Sequence, residues 1–215
     1  MSDDRTPSDP TEKLKDVGDR IRSERKRAGL SQRELARRLG LSASMISQVE
    51  SGMSQPSVAT LWAIVTELNL SLDRLIRGED FLGDRRPDER LSGYGPLDLV
   101  EPSSRRSIDL ASGVRWEDLT ARSDEGLDFV LATYDVGGAS TPVGSLMRHH
   151  GREYGYVLSG TLGVQIEFHD YQLSPGDSIA FDSTRPHRLH NSGDAPVKAI
   201  WFVVDRDPSF GGSAH

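Results

Sequence analysis

Cysteine is absent from this 215-residue chain, which excludes disulfides and thiolate metal sites and permits a reducing compartment. Long apolar runs are absent as well. No stretch approaches the roughly 18 residues of a membrane span, and the opening MSDDRTPSDPTEK is polar and acidic where a secretory signal is basic and then apolar. A cytoplasmic protein with no membrane partner is expected. Positive charge is also short, with a formal net charge of −7, so a uniformly basic nucleic-acid binder is excluded. What is present, 35% hydrophobic and 27% charged residues without an internal repeat, suits a globular protein of one large domain or two small ones.

The net charge hides a division. Between Val17 and Pro56 eight Lys or Arg face four Asp or Glu, giving +4, whereas from Phe81 onward thirteen face twenty, giving −7. A basic segment joined to an acidic remainder implies that only the N-terminal part meets a polyanion.

Residues 1–15, rich in Ser, Asp, Pro and Thr, read as a disordered tail. Over 16–78 apolar residues recur at helical spacing: Val17, Ile21 and Ala28, then Leu35, Ala36 and Leu39, then Ile46 and Val49, then Val58, Leu61, Ile64, Val65 and Leu68. The punctuation agrees with five short helices. SQRE from Ser31 is a capping box, Gly29 and Gly40 sit at turns, Ser42 can cap a third helix, and SLDRLI from Ser71 forms the last. Residues 79–104 carry Gly, Pro and charge without a period and read as a linker. Over 105–206 at least eight short strand patterns, RRSIDL to VKAIWFVV, follow one another with no long helix between them, which implies an antiparallel sandwich or barrel. In TLGVQIEF, Leu162, Val164, Ile166 and Phe168 alternate with Gly163, Gln165, Glu167 and His169, as in a half-buried strand. The last strand is apolar on both faces and reads as buried, and residues 207–215 read as a flexible tail.

Helices over 32–39 and 43–51, joined by a turn at Gly40 and Leu41, would seat Leu35, Ala36, Leu41, Ile46 and Val49 in one seam. The exposed front would then carry Ser42, Ala43, Ser44, Ser47 and Gln48, short groups that fit a major groove, with an amide able to pair bidentately with adenine. The run LSQRELARRLGLSASMISQVESG, within Val17 to Gly78, resembles the lambda-repressor-like, or xenobiotic-response-element, family of helix-turn-helix domains. That resemblance implies that Gln32 contacts a phosphate, that Arg25 pairs with Glu50 while lying near the DNA backbone, and that Ala43, Ser44, Ser47 and Gln48 face bases. Arg22, Arg33, Arg37 and Arg38 are further phosphate candidates, or solvated helix faces. With no Arg aimed at guanine, discrimination per half-site is limited. A homodimer on double-stranded DNA with a near-palindromic operator, its half-sites about 34 Å apart, is therefore expected.

MRHHGREYGYVLSG, residues 147–160, and HRLHN, residues 187–191, resemble the two motifs of the cupin family, small jelly-roll β-barrels. Those motifs are His-x-His, three or four residues, Glu, six residues, Gly, and then His-x-x-x-Asn. His149, Glu153 and Gly160 fill the first here, and His187 and Asn191 the second, within roughly Arg105 to Asp205. The chain departs from the family at Met147, which stands in the place of the first histidine and is a poor ligand for a hard or borderline ion. His150 points the other way on a strand and does not substitute. The remaining set, His149, Glu153 and His187, can hold one divalent metal (zinc, nickel or iron) with open positions, or can edge a plain pocket that has lost its metal. Met147, Tyr156, Arg188, His190 and Trp201 are the candidate ligand-binding residues.

The expected fold class is multidomain α + β, an N-terminal all-α five-helix helix-turn-helix domain followed by an all-β cupin (jelly-roll) barrel. The combination resembles bacterial one-component regulators, which implies a sequence-specific transcriptional regulator, a repressor, whose barrel senses a small-molecule effector. The alternative is a non-haem iron cupin oxygenase with a helix-turn-helix-like N-terminal domain.

Overall fold

The computed structural model describes residues 10–70, 75–76, 99–121 and 126–204. Four N-terminal helices are described: α1 (Pro10–Arg27), α2 (Gln32–Leu39), α3 (Ala43–Glu50) and α4 (Val58–Glu67). The expected fifth helix lies mostly outside the described residues, but its last two, Leu75 and Ile76, are helical and buried. Helix α1 is already formed at Pro10, so residues 10–15 of the expected tail are helical, and residues 1–9 lie outside the described residues. Proline is well placed in a first helical turn, where its missing N–H would have had no intrahelical acceptor.

Local chemistry fixes α2 and α3. Ser31 Oγ accepts from Glu34 N at 3.1 Å and Ser42 Oγ accepts from Met45 N at 3.1 Å, so each helix has a side-chain N-cap. Only half of the capping box forms as expected, since the Glu34 carboxylate is taken by Arg37 and Arg38. Gly40, at φ 66°, ends α2 in the left-handed conformation that glycine adopts without strain. Leu35, Ala36, Ile46 and Val49 are buried in the seam, with Ile21, Leu61 and Ile64 beneath them. Gly18 lets α1 meet the end of α3, because a Cβ there would sit 2.4 Å from the Val49 carbonyl oxygen.

Nine strands follow: β1 (Ser107–Leu110), β2 (Val114–Asp118), β3 (Leu127–Tyr134), β4 (Arg152–Ser159), β5 (Leu162–Ile166), β6 (His169–Leu173), β7 (Ser178–Asp182), β8 (His187–Asn191) and β9 (Val197–Val204). They form an antiparallel six-stranded sheet, β1-β2-β3-β9-β4-β7, and a three-stranded sheet, β6-β5-β8. TLGVQIEF is not one strand: β5 stops at Ile166, Glu167 turns at φ 56°, and Phe168 is 96% exposed at a hairpin tip. In β9 alternation decides the faces: Ala199, Trp201 and Val203 are buried inward, while Ile200 and Phe202 are half-buried on the outer face. This corrects the expectation that the strand is buried on both sides.

Helix α4 joins the two regions. Val58, Leu61, Ile64 and Val65 are buried, while Ala59 donates its N–H to Ser140 O of the barrel at 3.2 Å and Trp62 lies edge-on to Trp116 of β2. Among the described residues no helix is long and apolar enough to cross a membrane.

Candidate metal centre and candidate nucleic-acid interface

The metal candidates arise from three separate pieces of chain. His187 opens β8, Glu153 points inward from β4, and His149 ends an extended segment that runs along the free edge of β8. Ladder-like bonds hold that segment: Ser140 N to Leu189 O at 2.8 Å, Met147 N to His187 O at 2.9 Å and His187 N to Met147 O at 2.8 Å. His149 N then donates to Ser183 O at 3.0 Å, which turns its ring into the barrel.

All three side chains are buried, and their ligand atoms lie within 4.8 Å of one another. His149 Nε2 is 2.8 Å and His187 Nε2 3.1 Å from the same oxygen, Glu153 Oε1. The other ring nitrogens settle the tautomers. His149 Nδ1 meets the His150 carbonyl and His187 Nδ1 the Arg185 carbonyl, each at 2.9 Å. A carbonyl only accepts, so each Nδ1 carries a hydrogen, and an imidazole in its neutral form would turn the Nε2 lone pair toward Glu153. With both imidazoles neutral, the buried Glu153 Oε1 would have no donor and three lone pairs would converge on one point. Only a cation relieves that convergence.

A proton is one such cation. Burial works to lower the His149 pKa, but the hydrogen bond and charge of Glu153 outweigh it and hold the imidazolium above its usual range. Burial would likewise raise the Glu153 carboxyl, yet the hydrogen bonds and charges of the two histidines hold it well below. A divalent metal is the other, since two imidazole nitrogens and a carboxylate oxygen are a donor set that zinc, nickel and iron(II) accept. The residues fit such an ion. Glu153 is oriented by Trp201, whose Nε1–H donates to Oε2 at 2.6 Å. Gly155 makes room for this indole, because a Cβ there would lie 1.9 Å from Trp201 Cζ3.

Of the candidate ligand-binding residues, Met147 and Trp201 line the cavity, whereas Tyr156, Arg188 and His190 do not. Strand alternation puts Tyr156 on the outer face of β4, 47% exposed, while Glu153, Gly155 and Val157 point inward. On β8 the inward residues are His187, Leu189 and Asn191, so Arg188 and His190 face away. His190 instead lies over Gly163 of the neighbouring strand, and Arg188 Nε donates to Thr141 O at 3.0 Å. The motif asparagine is structural, since Asn191 Nδ2 donates to the Asp135 carbonyl at 3.0 Å and the Ala195 carbonyl at 2.8 Å.

Sequence reasoning missed other wall residues, among them Trp62, Trp116, Asp128 and Tyr134. Trp62 had a signal. It stands four residues after Val58 and three before Val65, so it widens the apolar stripe of α4 at one margin. Its ring lies on that of His149, centroids 4.2 Å apart and 5° from parallel.

On the nucleic-acid side, Ser42, Ser44, Ser47 and Gln48 are exposed along α3 and Ala43 is half-buried. Arg25 is buried, bonded to Glu50 through Nε at 2.5 Å and Nη2 at 3.0 Å. Gln32 Nε2 donates to Glu50 Oε2 at 2.8 Å, which uses one of its two amide N–H groups. Arg37 and Arg38 pair with Glu34, and Arg38 also with Glu67 at 2.9 Å.

Two family models match, Helix-turn-helix over residues 21–75 and Cupin domain over 130–203. The HTH-type transcriptional regulator PuuR of Escherichia coli (strain K12) is 31% identical over 184 residues, covering 85% of this chain and 91% of that protein, and the protein of the same name from Shigella flexneri matches equally. The crystal structure of an HTH_3 family transcriptional regulator from Vibrio cholerae shares the fold, with a TM-score of 0.64 at 24% identity over 93% of this chain and 100% of that one. A helix-turn-helix region with a cupin domain behind it, and a relative matched along nine-tenths of its length, place this chain in the family of HTH-type transcriptional regulators that carry a cupin domain.

Proposed function

We propose that the protein is a homodimeric repressor whose α3 reads the major groove of a near-palindromic operator and whose barrel responds to a small-molecule effector. The observation that carries the reading is the exposed Ser44, Ser47 and Gln48 face on a helix whose other side is buried by Ile46, Val49 and Glu50. Ser42 and Ala43 start that face, and Arg33 lies exposed on α2 beside it in sequence order as a phosphate partner. Arg25 and Gln32 act here by holding Glu50, and through it the pose of α3. An electrophoretic titration with genomic DNA from beside its own gene tests this. The expected result is a sequence-dependent shift that weakens steeply with salt, and the lack of any such shift would sink the reading.

In the barrel, His149, Glu153 and His187 hold one divalent ion, which supplies charge and open coordination positions for an effector's donor atom. The same triad would suit an iron oxygenase. Sensing is the better reading because α3 keeps an exposed Ser44, Ser47 and Gln48 face, which an oxygenase has no need to retain. Metal analysis of protein purified without chelator separates the two: stoichiometric iron with substrate-dependent oxygen uptake would favour the enzyme.

A further inference from the structure

Trp62, stacked on His149, is one wall of the small cavity beside the triad. On the other side of this indole lies a cleft of about 380 Å³, with Thr66 and Asn69 of the helical region on one wall and Leu127 and Val203 of the barrel on the other. Trp62 and His149 border both spaces. A volume of several hundred Å³ suits a metabolite of amino-acid size. The triad and this cleft are thus neighbours, with Trp62, Asp128, His149 and Val203 bordering both, and of these Trp62 alone belongs to α4, whose Leu61 and Ile64 are fully buried in the helical core that carries α3.

We propose that the effector site is this interdomain cleft and that Trp62 is its plug: a small metabolite with a metal-coordinating nitrogen or oxygen reaches the triad only by displacing Trp62 from His149. The displaced indole draws on α4, so occupancy of the triad and the pose of the DNA-reading helix are thermodynamically linked. The proposal rests on the metal reading of the triad.

The test uses the full chain loaded with cobalt(II), whose visible spectrum reports coordination, and imidazole as the probe for the open position. Wild type, Trp62→Phe and Trp62→Ala are compared, the phenylalanine variant guarding against loss of the fold. Imidazole is expected to bind Trp62→Ala about tenfold or more tightly than wild type, with Trp62→Phe between them, because the closed population is removed. Bound operator fragment is expected to change imidazole affinity in wild type and to leave it unchanged in Trp62→Ala. Equal imidazole affinities in all three cobalt-loaded proteins would overturn the plug while leaving the metal reading intact. A wild-type affinity indifferent to DNA would overturn the coupling. No cobalt spectrum in any variant would remove the metal reading and this proposal together.

Discussion

Arg25 of α1 and Glu50 at the end of α3 form a buried ion pair, Nε to Oε1 at 2.5 Å and Nη2 to Oε2 at 3.0 Å, and this contact ties the first helix to the reading helix. Arg25 Nη1 also donates to the Leu30 carbonyl at 2.6 Å, so the guanidinium is tied to the α1–α2 turn as well. Removing one partner strands the other charge out of water. Glu50→Ala is expected to destabilise the helical region by about 3–5 kcal/mol, whereas the double change Arg25→Met with Glu50→Leu recovers much of that loss. Thermal unfolding of the single and double variants checks this; equal melting temperatures for wild type and Glu50→Ala would refute it.

Gln48 is the side chain of α3 best suited to adenine. Gln48→Ala is expected to weaken operator binding by about 1–3 kcal/mol and to relax preference at one base pair per half-site. A titration against operators substituted at each position reads both effects. A loss spread evenly over all sequences would instead assign Gln48 to the phosphates.

The triad makes a sharper demand. His187→Ala is expected to abolish stoichiometric zinc or nickel binding in calorimetry. Trp201→Phe, which removes the donor to Glu153 Oε2, should weaken it by about 10–100-fold. Gly155→Ala should weaken binding in the same direction, since its methyl would occupy the seat of the Trp201 ring. Unchanged affinity in Trp201→Phe would show that the carboxylate needs no orienting partner.

Glu34 gives a pH-dependent prediction. Hydrogen bonds from Arg37 and then Arg38 lower its carboxyl from 4.5 to about 2. A carboxylate with a depressed folded-state pKa stabilises fully above its unfolded value and ceases to do so as pH falls through the folded one. The melting difference between wild type and Glu34→Gln should therefore persist above about pH 4.5 and disappear near pH 2. It should be small and shrink with salt, because all three groups are at the surface.

The helical region was largely legible in the sequence because its signals are local. Ser31, Gly40 and Ser42 punctuate α2 and α3 through backbone chemistry that neighbours alone determine. The barrel was legible where period two met a motif, as at His149, Glu153 and His187. It failed where a strand has no buried face: four of the five residues of β6 are exposed, so HDYQL carries no alternation to read. Tyr156, Arg188 and His190 were misplaced because proximity in sequence to a ligand puts every second strand residue on the wrong side of the sheet. Trp62 was missed for the opposite reason. Its place on α4 was legible, but its partner His149 lies 87 positions along the chain.

Because α4 supplies part of the wall of the barrel's cavity, the seam between the two regions in sequence is not a seam in space. Cutting the chain in its linker would strip Val58 and Trp62 from a surface formed by Trp116, His149 and Val203. Head and barrel are therefore not exchangeable parts: a chimera that grafts this barrel onto another reading domain loses the ring stacked on His149 and opens that side of the cavity unless the new domain supplies an aromatic side chain there.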